Sequence, residues 1–181
     1  MRPAGGLHTT FPEPEARSDG FRATVAERGR AGKGTALAAE LTERVRERLE
    51  GTNFWFVATV TPDGAPHVTP MWVGLEDGLV VFNTSVGRIK EENLRHDPRV
   101  HLSHADTGNP YDRVQISGRA VRLVEGDEAE RGMDRLARKY LGLDVYPWLI
   151  EGERRVHVLV EPEKVRHVVG VEPFRAGIIP S

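Results

Sequence analysis

The sequence predicts a mainly β (α+β) fold, an antiparallel barrel with short flanking helices. Three observations lead there. Runs rich in aromatic and β-branched residues are joined by tight-turn signals, at Pro62-Asp63-Gly64 and Glu76-Asp77-Gly78. Helical spacing of apolar residues is confined to short stretches inserted among those runs. No strand–Gly-x-Gly-x-x-Gly–helix unit occurs, which argues against a doubly wound sheet, and no internal repeat is visible.

Taken in order, residues 1–34 read as a leader rich in Gly and Pro, unable to bury enough surface to offset its ordering entropy. Within its end, Gly32-Lys33-Gly34-Thr35 lacks the Lys-Ser/Thr pair and the preceding strand of a phosphate loop. Thr35 to Leu49 reads as a helix capped by Thr35, with Leu37, Leu41, Val45 and Leu49 on one face and Gly51 as its stop. Phe54 to Thr61 is a strand. Ala65 to Leu75 is a second, with Pro66 and Pro70 marking an edge or a bulge. Leu79 to Asn83 is a short apolar strand, expected to be buried on both faces. A connection, Thr84-Ser85-Val86-Gly87, leads into a short helix from Arg88 to His96, which Asp97-Pro98 stops.

Arg99 to Ala105 is the fourth strand and Asp106 to Asp112 a loop. In Arg113 to Val124, Val114, Ile116 and Ala120 alternate with Gln115, Ser117 and Arg119, and Gly118 marks a bulge. Gly126 to Leu141 is a helix with Asp127 as N-cap. Arg154 to Val160 is a strand and Glu163 to Val171 another. The expected organisation is a leader (1–34), one barrel domain (35–172) and a tail (173–181).

Composition narrows the function classes. Of 181 residues, 39% are hydrophobic and 29% charged, ordinary for a globular chain. A formal net charge of −2 gives no case for nucleic acid or an anionic membrane, so any anion site must be local. The absence of cysteine excludes disulfides, thiolate nucleophiles and iron–sulfur clusters. No run approaches the ~20 apolar residues of a membrane-spanning helix. Met1 to Gly6 are not followed by an apolar segment, so no signal peptide is read and a cytoplasmic location is expected.

The chemistry concentrates in Phe82 to Lys90. A buried strand delivers Thr84, Ser85 and a glycine to a helix start, where unpaired N–H groups and the helix dipole favour anions. Arg88 and Lys90 add two positive charges in the first turn, against the dipole, a cost that a bound anion would offset. A capped helix with solvated cations is the competing reading. His101 and His104 are three apart on a strand and point to opposite faces, so they cannot chelate one ion, and no metal site is expected. No Gly-x-Ser-x-Gly elbow and no serine with an adjacent base appear. So little side-chain catalysis favours a cofactor doing the chemistry.

An ordered series of short segments carries a family resemblance over about three-quarters of the chain. They are Ala58 to Pro66, Pro70 to Val73, Val81 to Thr84, Arg88-Ile89-Lys90, Asn93-Leu94-Arg95, Asp97 to Val100 and Val114 to Ala120. The series resembles the pyridoxamine 5′-phosphate oxidase-like split β-barrel superfamily. Within it, Pro66, Pro70 and Trp72 and the Asn-Leu-Arg-x-Asp-Pro-Arg helix end resemble the F420-dependent reductase branch.

The resemblance implies a homodimeric split barrel with its cofactor in a groove between subunits. It places Arg88 and Lys90, with Thr84 and Ser85, at the cofactor phosphate, and Thr69, Pro70, Met71 and Trp72 along the ring system. It leaves Gln115 and Ser117 facing cofactor or dimer seam, and Arg95 and Arg99 near the mouth. The implied cofactor is F420, with FMN as the alternative. The implied reaction passes hydride from reduced F420 to an electron-poor double bond of a small molecule. A non-catalytic carrier of flavin, haem or F420 shares the same features. No catalytic proton donor identifies itself.

Overall fold

The structure is a computed structural model that describes residues 39–169. The expected leader, the helix start at Thr35 and Leu37, and the tail lie outside those residues. Seven strands and three helices follow in order within them. They are α1 (Glu43–Glu50), β1 (Trp55–Val60), β2 (Pro66–Met71), β3 (Val73–Glu76), β4 (Leu79–Ser85), α2 (Ile89–His96), β5 (Arg99–Ala105), β6 (Arg113–Glu125), α3 (Asp127–Leu141) and β7 (Arg155–Val168). Among the described residues no helix is long and apolar enough to cross a membrane.

The strands form one antiparallel sheet in the order β2-β1-β5-β6-β7-β4-β3. Its two edges, β2 and β3, are consecutive in the chain and separated by Trp72 alone. The sheet therefore curls until its edges adjoin without pairing, which makes it a split barrel. That is the predicted fold class, and it explains why the expected second strand is two. Ala65 to Leu75 cannot run straight, because it leaves one edge and starts the other.

The interior is apolar and closely filled. Trp55, Val57, Val80, Phe82, Leu102, Ile116, Val156, Val158 and Val160 are fully buried. β4 is buried along nearly its whole length, as its apolar sequence predicts. It runs two residues further than expected, because Thr84 and Ser85 pair with Val156 and Arg155 of β7.

Three other expectations are corrected. Residues 39–42 are not helical, and α1 begins at Glu43. The Ala39 amide donates to the Pro162 carbonyl at 2.7 Å, which ties this stretch to β7, yet Leu41 still joins Val45 and Leu49 in the core. Gly126, with φ 71°, holds the N-cap position of α3, and Asp127 is the first helical residue. The two C-terminal strands are one, β7, 14 residues long. Pro162 does not break it, because the register with β6 shifts between Ser117 and Gly118 and leaves Glu163 unpaired. The bulge predicted at Gly118 is this irregularity. A side chain there would run into the Glu161 carbonyl and would sit 3.0 Å from Val160 Cγ1.

Candidate functional site

Helix α2 lies against the inner face of β1. Asn93 Nδ2 donates to Thr59 Oγ1 at 2.9 Å, and Lys90 Nζ donates to the Val57 carbonyl at 2.8 Å. This fixes the start of α2 beside the split. Gly87 turns the chain from β4 into the helix with φ 78°, a conformation that favours glycine. The result is a cleft of about 380 Å³. One wall is β2, through His67, Thr69 and Met71, which share a face by strand alternation. Opposite are Asn83 and Thr84 of β4 and the turn from Gly87 to Lys90. Among the described residues no carboxylate lines it.

The two cations differ. Lys90 is only 4% exposed, and burial pushes its pKa down to about 8. One of its three donors goes to Val57, which leaves two for a ligand. Arg88 is half-exposed and donates to Glu153 Oε1 at 2.6 Å. The buried Ser85 hydroxyl donates to the same oxygen at 2.7 Å, and Arg155 sits 2.9 Å from Oε2. One carboxylate is thus divided between two guanidiniums and a hydroxyl. Glu91, in the first turn of α2, folds back: its Oε2 accepts from the Gly87 amide at 3.0 Å, while Oε1 pairs with Arg95. Part of the negative charge that the helix start demands is therefore supplied by the protein.

Of the eight residues expected at the cofactor, Thr69, Met71, Thr84, Arg88 and Lys90 line this cleft. Ser85 is committed to Glu153. Pro70 and Trp72 face elsewhere, since alternate residues of β2 point to opposite sides. They line a second pocket, of about 210 Å³, with Met133 and Leu136 of α3, Tyr146 and Trp148 of the α3–β7 connection, and Arg155. Met71 and Asn83 line both spaces, so the two adjoin. Ser117 hydrogen-bonds His101 at 3.1 Å and borders a third cavity, of about 290 Å³. Arg95 pairs with Glu91, and with Glu125 at 2.7 Å, and Arg99 pairs with Asp97, whose pKa its guanidinium holds down to about 2.

Sequence reasoning missed His67, Glu153 and Arg155. His67 stands two residues before Thr69 on the same face, a signal that strand alternation offered. Burial, and then the nearby Lys90 charge, push its pKa down from the ordinary value of 6.5. Glu153 and Arg155 carried no signal, since only the fold sets them beside Arg88. The two strand histidines part as predicted: His101 is exposed, while His104 is buried and hydrogen-bonds the Phe54 carbonyl at 3.1 Å.

Solved structures resemble this chain. An F420 reductase is 28% identical with a TM-score of 0.62, over 70% of this chain and 98% of that one. Rv2991 from Mycobacterium tuberculosis is 26% identical with a TM-score of 0.59, over 83% and 95%. HupZ of Group A Streptococcus shares the fold, with 16% identity and a TM-score of 0.51 over 73% and 99%. No curated protein matches. Residues 41–169, which include every strand and every cleft residue described above, match the pyridoxamine 5′-phosphate oxidase family, and the chain belongs to it.

Proposed function

We propose that the protein is a cytoplasmic, homodimeric oxidoreductase that holds coenzyme F420 in the cleft beside α2 and serves hydride transfer to an electron-poor double bond of a small molecule. The observation that carries this reading is Lys90: a cation 4% exposed, with donors to spare, facing a cleft that no carboxylate among the described residues lines. A buried charge without a full partner is costly, and an arriving phosphoryl group offsets that cost. The likeness to an F420 reductase at 28% identity supports the deazaflavin over FMN.

The residues fit such a cofactor. Lys90 would hold the phosphoryl group, the Thr84 hydroxyl would add a donor, and Arg88 would add charge shared with Glu153. Thr69 and Met71 would border the ring. Asn83 donates its Nδ2 to the Ala129 carbonyl at 2.8 Å, which leaves Oδ1 as a buried acceptor with no partner at the junction of cleft and pocket. When bound, the reduced cofactor supplies the hydride; the chain supplies position, charge and shelter from water. Self-association rests on the outer face of β1 and β2, where Phe56 and Val68 are 54% and 52% exposed on neighbouring strands.

Parallel titrations with F420, FMN and haem test the reading. F420 should bind the parent best. Lys90→Ala should weaken it about 10- to 100-fold, the worth of a charge-assisted hydrogen bond. Arg88→Ala should weaken it only a few-fold, roughly as an exposed ion pair. Affinity should fall as pH rises through about 8, where Lys90 loses its proton, and that fall should vanish in Lys90→Ala. Unchanged binding in both variants, or a preference for haem or FMN, would refute the assignment. A chain that sediments as a monomer would remove the dimer.

A further inference from the structure

We infer that the pocket between α3 and the α3–β7 connection binds a flat, conjugated molecule carrying one carboxylate or similar anionic group. Its role as the hydride acceptor rests on the function proposed above; the binding itself does not.

The walls are aromatic and fixed in place. Trp72 stacks on Tyr140 with ring centroids 5.0 Å apart and planes 4° from parallel. Tyr140 is itself anchored, donating its hydroxyl to the Asn53 carbonyl at 2.6 Å. Tyr146 meets Trp72 edge-on at 6.2 Å, and its backbone amide donates to Asp134 at 2.8 Å. Trp148 leans over the same ring at 6.5 Å and 45°, yet remains 58% exposed. Met133, Leu136, Phe54 and Pro70 complete an apolar lining. Large rings left in water at the rim of an apolar pocket mark a binding site, and their faces favour a planar partner. An apolar cavity of about 150 Å³ accepts a benzene ring. About 210 Å³, open on one side, accepts two fused rings.

The charge follows from Arg155. Among the described residues it is the one charged side chain lining the pocket, and it is 7% exposed. Its guanidinium lies over the Tyr146 ring at 4.8 Å, and among the described residues its Nε has no hydrogen-bond partner. Glu153 faces it at 2.9 Å but also serves Arg88 at 2.6 Å and Ser85 at 2.7 Å. Two guanidiniums on one carboxylate leave one positive charge in excess, with Arg155 buried, Glu153 largely buried and Arg88 half-exposed. An anion on the ligand completes that balance, whereas a neutral ligand leaves it open. Because Met71 and Asn83 wall both spaces, a molecule here lies next to the cofactor cleft without entering it.

Calorimetric titration of the full chain with 2-naphthoate and with the neutral 2-naphthalenemethanol tests this without any cofactor. The parent should bind the carboxylate about tenfold tighter than the alcohol. Trp148→Ala, on an exposed connection where folding is not at stake, should weaken both about tenfold. Arg155→Met should erase the preference for the carboxylate. Saturating F420 should not displace bound naphthoate. Equal binding of the two probes, indifference to Trp148→Ala, retained preference in Arg155→Met, or displacement by F420 would each overturn the inference. Failure of F420 to bind the parent, with the naphthoate pattern intact, would overturn the cofactor assignment and leave this pocket standing.

Discussion

Two connections bring cleft-lining and pocket-lining residues to the same end of the barrel by opposite means. Between β4 and α2 the link is three residues long, and one glycine with positive φ sets its course. Thr84, Arg88 and Lys90 fall into place because backbone geometry leaves them little choice. Between α3 and β7 the link runs from Gly142 to Arg154 and exposes Leu143, Val145, Trp148, Leu149 and Ile150. Its order comes from side chains: Asp134 under the Tyr146 amide, and Trp72 against Tyr146 and Trp148. A short, backbone-determined link suits a group that never varies, such as a phosphoryl. A long, side-chain-determined link suits a molecule whose shape must be matched.

That contrast can be broken most forcefully through α3. Gly132 packs on His157 so closely that a Cβ would overlap the ring, with Cγ and Cε1 at 2.7 Å, and His157 is fully buried in β7 with no room to move. Gly132→Ala should cost about 1–3 kcal/mol, the range for overpacked cores, read as a lower unfolding midpoint. It should also disturb naphthoate binding while F420 binding survives. Equal damage to both would show that the two connections are not independent.

A smaller effect is expected at Glu153, which pairs with one cation of each site. Glu153→Gln removes the carboxylate held by Arg88 and Arg155, so anion affinity should rise at both sites, about 2- to 5-fold for F420 because Arg88 is half-exposed. Titrations that moved in opposite directions would contradict the shared-charge account.

The smallest effect concerns acid. His157, and then Arg135, hold the Glu76 carboxyl down to about 2, and these contacts clamp β7 and α3 to β3. A depressed carboxyl pKa stabilises the fold above its ordinary value of 4.5, and this contribution is lost as pH falls towards about 2. Glu76→Gln should flatten the acid limb of stability in that window, measured by denaturant midpoints across pH.

The sequence carried the barrel legibly wherever pattern and turn chemistry agreed. The alternation of Val114 and Ile116, the glycine bulge at Gly118 and the apolar run of β4 all appear where periodicity placed them. It misled where tertiary contacts outweigh propensity. The helix N-terminus gave way to a hydrogen bond from Ala39 to β7, and Pro162 sits inside a strand because a bulge absorbs it. The α2 half of the site was readable because its residues are contiguous. The other half was not. Trp72, Tyr140, Tyr146, Trp148 and Arg155 are spread over more than eighty positions, and no local pattern joins them before the barrel closes. The same holds for Glu153, which turns an apparent surplus of two cations into a shared charge.

Pro66 and Pro70 on edge strand β2 have a consequence for how the molecule meets others of its kind. The ladder with β1 runs unbroken from Trp55 opposite Met71 to Val60 opposite Pro66, so both prolines turn their missing N–H groups outward. Along that rim Val68 is left as the lone amide between them. A foreign strand cannot zip onto such a rim, which guards the open barrel against runaway fibre growth and leaves association to side-chain surfaces.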